Sequence, residues 1–206
     1  DGSDAHLATR SGKSISNARW SADGKKVAYL MGGQIYIAKV RKDGTLGKGK
    51  KISDIAAGIG EFKLSPDQSQ VIFLSTVAGR VKTPGQIYPD LPKAEAYETE
   101  TMMYRHWDHW VEEIPHSFVG TFDWDKGLGN FFDILGNEGA EDGGVSPYEL
   151  PTEPFGGLEE LCWSPDGTRI AYSCRKKDGK DYAFSTDTEI YLYNIKDGEC
   201  VRIPMG

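Results

Sequence analysis

Glu112 and Glu113 stand side by side near the end of a long irregular stretch. Adjacent carboxylates can receive a cationic group, such as the free amino terminus of a peptide, through charge-assisted hydrogen bonds. The plainer use of such a pair is a solvated acidic turn. Just upstream, His106 and His109 form H-x-x-H, with His116 beyond, a set that raises metal binding. A zinc-binding helix spaces two histidines four apart on one face, whereas these are three apart in RHWDHW, a run without a clear helical pattern. No metal site is expected; the rings should pack at the edge of the fold and hydrogen-bond locally. Asp123, Asp125 and Gly127 begin like a calcium loop, but the glycine comes one place early and the twelfth position is Ile134, so they read as a turn. Ser146, in GGVSPYE, lacks the second glycine of a nucleophile elbow and precedes a proline. The chain is therefore expected to hold no catalytic residue and no cofactor, and Glu112 and Glu113 are its candidate substrate-binding residues.

The elements that must position these residues announce themselves by repetition. Trp20 to Leu30 reads WSADGKKVAYL, Leu64 to Leu74 reads LSPDQSQVIFL, and Trp163 to Ser173 reads WSPDGTRIAYS. Alternating apolar positions on both sides of a Ser-x-Asp-Gly core predict strand, tight turn, strand. After each comes a third alternating run, Gln34 to Gly44, His116 to Gly127 and Glu189 to Gly198, and then a fourth, starting at Lys50, Asn130 and Glu199. Four short antiparallel strands in sequence order make one blade of a β-propeller, whose repeat is usually about 40 to 45 residues. The spacing from Trp20 to Leu64 is 44 residues and from Leu64 to Trp163 it is 99, so the middle unit carries long insertions. Trp20 and Trp163, ahead of two of the turns, should pack between blades.

The fold class expected is all-β: a partial β-propeller of about three four-stranded antiparallel blades, with a long arm inserted in the middle blade. Residues 1–12 read as a leader or frayed end, 13–57 as the first blade, 58–138 as the second with its arm at 75–115, 139–157 as a loop and 158–206 as the third blade. Within the arm a helical turn is expected near Lys93 to Met103, and the aromatic run Tyr104, Trp107 and Trp110 argues against disorder. In an up-and-down blade the second-to-third and fourth-to-first connections leave on the same side. All three long loops, the arm, the stretch Gly136 to Gly157 and CRKKDGKDYAFSTD from Cys174 to Asp187, are of those kinds, so one face should be plain and the other elaborated, and function is expected on the elaborated one.

Composition narrows the classes. With 206 residues, 38% of them hydrophobic and 27% charged, there is ample material for a core. No run of about 18 apolar residues could span a bilayer, and the first residues lack the pattern of a signal peptide. The net charge of −7 argues against a nucleic-acid partner. Three cysteines are an odd number; folding Leu161–Ser173 about its turn puts Cys162 opposite about Ile170 and Cys174 opposite about Leu158, too far apart for a disulfide. All three, Cys200 included, are expected to be packing thiols.

The SPDG hairpins resemble the propeller repeats of the prolyl oligopeptidase family of serine peptidases. YPDLPKAEAYETETMMYRHWDHW, then HSFVGTFDWD, then PFGGLEELCWSPDGTRIAYS, is similar to its dipeptidyl and acylaminoacyl peptidase branch, especially the dipeptidyl-peptidase-5-like enzymes. The resemblance runs from about Ser14 onward. It implies a propeller segment at the amino-terminal side of an α/β-hydrolase domain that carries the Ser, Asp and His of the triad and is absent from these residues. The segment alone should then be inactive, its partners being that domain and a peptide substrate, its location periplasmic or secreted. In related dipeptidyl peptidases a glutamate pair on a propeller insertion binds the substrate's amino terminus; Glu112 and Glu113 lie in an insertion, within residues that differ from that motif. Open blade edges imply self-association. The rival reading is a non-enzymatic, TolB-like propeller that binds protein partners.

Overall fold

A computed structural model of the chain describes every residue except 1–2, 4, 10–11, 80, 92, 100–103, 141–142 and 205–206. Each alternating run becomes a strand. The first sheet takes β1 (Ser16–Trp20), β2 (Lys26–Met31), β3 (Gln34–Lys39) and β4 (Lys50–Lys51) in that order. The second takes β5 (Phe62–Leu64) and β6 (Gln70–Ala78), then, beyond the arm with its helix α1 (Pro84–Ile87) and ribbon β7 (Arg105–His106) and β8 (His109–Trp110), β9 (Glu113–Asp123) and β10 (Gly127–Asp133). The third takes β11 (Leu161–Trp163), β12 (Arg169–Cys174), then, after helix α2 (Gly179–Phe184), β13 (Glu189–Asn194) and β14 (Cys200–Arg202). All pairings are antiparallel, and neighbours in sequence are neighbours in each sheet, as the all-β reading expects.

The tight turns have a common chemistry. Ser21, Ser65 and Ser164 donate their hydroxyls to Asp23, Asp67 and Asp166 at 2.6–2.7 Å and accept the backbone N–H five residues on at 2.9–3.0 Å. Each aspartate also accepts the N–H two residues on at 3.0 Å, so the turn meets its own polar demand. The next position has positive φ: Gly24 at 69°, Gly167 at 70°, and Gln68 at 60° where the middle copy lacks glycine. Gln68 uses its side chain in return. Its amide donates to Trp20 O at 2.9 Å and accepts from Ala22 N at 2.9 Å and Trp124 Nε1 at 3.1 Å, which ties the first two sheets together.

The sheets stack face to face with the second in the middle. Val71 and Phe73 of β6 point at the first sheet, where they meet Ala28, Leu30, Ile35 and Ile37; Ile72 and Val119 point at the third, against Leu161, Ile170, Tyr172 and Tyr191. A strand's alternation thus serves two cores at once. The two outer faces differ. On the first sheet Val27, Tyr29 and Ala38 are buried with Ile15, Val40 and Leu46, and residues 7–9 cross over them, with Ala8 O accepting from Leu46 N at 2.9 Å. Residues 7–9 line a cleft of about 720 Å³ there. On the third sheet Ile190 and Val201 lie bare, in cross-strand rows with Ser173 and Leu192.

Several expectations need correction. Residues 93–99 contain no helical turn, and the rest of the stretch to Met103 lies outside the described residues; the arm's described helix is α1, where Pro84 occupies the first turn and Thr83 N donates to Gln86 Oε1 at 2.8 Å. Cys162 faces Ala171 rather than Ile170. Only Cys174 is a buried thiol; Cys162 and Cys200 are exposed, because their strand positions fall outside the core rows. Trp20 is 60% exposed, whereas Trp163, at the matching position of another edge strand, lies against the second sheet, with its Nε1 donating to Lys63 O at 3.4 Å, and packs on the core.

Candidate functional site

The three long connections converge. β6 and β9 run on together into the base of the arm as far as the pair Ala78 and Glu113, so Glu113 opens a strand and Glu112 precedes it. Above that base the ribbon is built on Trp110, which stacks on Tyr97 with ring centres 4.4 Å apart, while Val81, Val111 and Ile114 form a small core of their own. The loop that follows β10 supplies Glu149, buried with its carboxylate between the other two insertions. An ionised carboxylate only accepts. One oxygen takes His106 Nε2 from the ribbon; the other takes the Tyr182 hydroxyl from α2, and also Glu153 N at 3.1 Å. Burial, with the Glu149 charge, pushes the Tyr182 phenol far above its ordinary range. Arg175 covers the Tyr182 ring at 3.7 Å and donates to Ser185 O at 2.7 Å.

Beside this knot opens a cleft of about 330 Å³ lined by Thr76, His106, His109, Trp110, Glu112, Glu113, Pro115 and Glu153. It contains both candidate glutamates and a third, Glu153, that the sequence reading did not single out. Among the described residues its lining includes no lysine or arginine. Glu113 is exposed and accepts from Thr76 Oγ1 at 2.6 Å, while Glu112 holds the Tyr97 hydroxyl, a bond that raises the Tyr97 phenol's pKa. Three carboxylates on one hollow suit a cation that can donate several hydrogen bonds, such as an ammonium group. A second hollow of about 340 Å³ shares Thr76, Pro115 and Glu153 and continues over Gly58, Ile59, Leu74 and Pro151.

The other candidates go elsewhere. His106 and His109 face each other across the ribbon turn with ring centres 6.1 Å apart, but His106 is committed to Glu149 and His109 lies outward beside Asp108 at 3.3 Å. His116 is buried on β9, one ring nitrogen 2.6 Å from Asp133 Oδ2 and the other 3.1 Å from Ser146 O, and so pins the loop to the second sheet. Ser146 is buried, its N–H given to Gly136 O at 3.0 Å. Asp123 accepts from the N–H groups of Asp125 and Lys126 at 2.8 Å, a turn with Gly127 at φ 102°, where a Cβ would stand 2.7 Å from Ile52.

No protein-family model matches the chain. Among curated proteins it is 38% identical over 189 residues to Dipeptidyl-peptidase 5 of Porphyromonas gingivalis, across 91% of this chain and 26% of that protein. It is 30% identical over 211 residues to Dipeptidyl-peptidase 5 of Porphyromonas endodontalis, across 100% of this chain and 28% of that protein. The chain therefore spans about a quarter of the length of these relatives. Among solved structures, an acylaminoacyl peptidase of Pyrococcus horikoshii superposes with a TM-score of 0.52 at 15% identity, over 92% of this chain and 24% of that one, a likeness of fold.

Proposed function

We propose, from the premise that this chain belongs with the dipeptidyl-peptidase 5 proteins of the prolyl oligopeptidase family, that it forms part of the propeller of a serine exopeptidase acting on peptide amino termini. Each four-stranded sheet is then one blade. The elaborated face restricts access to an α/β-hydrolase domain outside these residues, where a serine, a histidine and an oxyanion hole would carry out acyl transfer. The segment itself supplies no nucleophile and is inactive alone. Its contribution is substrate positioning: Glu112, Glu113 and Glu153 receive the free amino group and set how far the chain extends toward the cleaved bond. A periplasmic or secreted location and association between copies through uncovered strands belong to the same reading. No helix among the described residues is long and apolar enough to cross a membrane.

The observation that carries the reading is the cleft itself, with three carboxylates and no basic lining residue among those described, on the face where the insertions meet. The test uses the full-length protein and chromogenic dipeptide substrates with free or acetylated amino termini. Cleavage that a serine-directed reagent blocks and that acetylation suppresses is expected, with Glu112→Ala and Glu113→Ala each raising KM about tenfold or more, as loss of a charged hydrogen-bond partner does. Equal cleavage of acetylated substrates would remove the amino-group site.

A further inference from the structure

Trp107 and Phe155 are the feature that the reading so far leaves unused. Trp107 sits at the ribbon tip with φ 43°, a left-handed conformation that bulky side chains seldom adopt. It is 76% exposed, and Phe155, from a loop 48 residues away, is 75% exposed. Yet the two rings touch edge to face, 5.5 Å between centres and 75° between planes. Two large aromatic surfaces paired with each other in water are an unusual use of apolar area.

Their placement is controlled. His106, next to Trp107, is held by one oxygen of Glu149, and Glu153, two residues before Phe155, gives its backbone N–H to the other oxygen at 3.1 Å. One buried carboxylate thus fixes both loops. His106, His109 and Glu153, within two residues of the pair in sequence, line the acidic cleft, while the two aromatic rings lie just beyond that lining.

We infer that Trp107 and Phe155 form an apolar clamp for the side chain of the substrate's first residue, whose amino group lies among the glutamates. The inference rests on the amino-terminal reading above and adds a substrate class to it: peptides that begin with a large apolar residue. The charge of the cleft selects the cation, and the pair selects the side chain attached to the same carbon. Glu149 is a positioning residue for both.

The experiment is a ratio. With the full-length protein, kcat/KM is measured for two free-amino dipeptide substrates that differ only in the first residue, leucine against glycine, and for the acetylated leucine compound. Trp107→Ala and Phe155→Ala are expected to lower the leucine-to-glycine ratio by about tenfold, the scale of a lost apolar side-chain contact, with the glycine substrate unchanged. Trp107→Phe should recover most of the ratio. Because both side chains are exposed, unaltered thermal melting is expected and shows that the variants fold. An unchanged ratio overturns the clamp, and so does an equal loss on both substrates, which would point to a contact with another domain. Discrimination against the acetylated compound reports on the glutamates separately, so its absence with an intact leucine preference sinks the amino-group site alone. A protein that cleaves none of the substrates overturns both.

Discussion

At one end of the sheets Ser21, Ser65 and Ser164 find their partners within five residues; at the other, Glu149 finds Tyr182 and His106, 33 and 43 residues away. Both arrangements satisfy backbone and side-chain polar groups, but the first does so with what each turn brings and the second only once three insertions have come together. The self-contained turns can form as soon as their strands pair. The knot at Glu149 forms only in the assembled fold, and that dependence lets it hold a cleft whose residues lie far apart in sequence. Local closure yields repeats, and distant closure yields a particular site.

The largest effect expected from breaking this contrast is at Glu149. Glu149→Ala leaves His106, Tyr182 and Glu153 N without their shared acceptor, and should destabilise the protein by about 3–5 kcal/mol, the scale for opening a buried charged network. Chemical denaturation measures that loss, and hydrogen exchange should locate it in the ribbon and α2 while the tight turns stay protected. A uniform loss across all three sheets would mean that the knot is no separate unit.

Gln68 comes next, because it is where the plain end borrows the logic of the other. Gln68→Ala removes two hydrogen bonds to the first sheet and one to Trp124 of the second and keeps a positive φ, at about 1–2 kcal/mol, whereas Gln68→Gly relieves the backbone and should cost less. If glycine proved worse than alanine, the strain argument would fail. Ser164→Ala should cost about 1 kcal/mol and disturb its own turn only, which amide exchange at Arg169 would report.

The smallest effect is a slope. Hydrogen bonds from Ser65 and Ser69, and from Ser164 and Thr168, hold Asp67 and Asp166 down at about 2, against an ordinary 3.8. A depressed carboxylate stabilises above its unfolded value and loses that contribution as pH falls toward its folded one. Both groups are solvent-exposed, so the effect is modest. Denaturation midpoints followed from pH 4 to about 2 should fall less steeply in the Asp67→Asn, Asp166→Asn double variant than in the parent. Parallel slopes would show that the turns do not respond to acid.

Legibility followed the same division. The Ser-x-Asp-Gly turns and the alternation around them are short-range signals, and they led to three four-stranded sheets in the order found. The face on which the insertions gather could also be read, because it follows from up-and-down strand direction. Glu149, Tyr182 and Glu153 could not. A buried glutamate and a loop tyrosine look in sequence like any polar surface residues, and nothing local tells that they meet. Glu112 and Glu113 drew attention because they are adjacent, while Glu153 joins them only through the fold. Trp20 and the two exposed cysteines were misread for another reason: alternation says which side of a strand a residue takes, but not whether that side is covered.

The uneven covering of the two outer faces gives the two ends of the stack different roles. Leu46 and residues 7–9 lie across part of the first sheet's outer face, while the third offers Ile190 and Val201 bare. Under the reading proposed above, in which each sheet is one blade, Ile190 and Val201 are the seat of a following blade of the same protein, so a longer stretch of it should bury them.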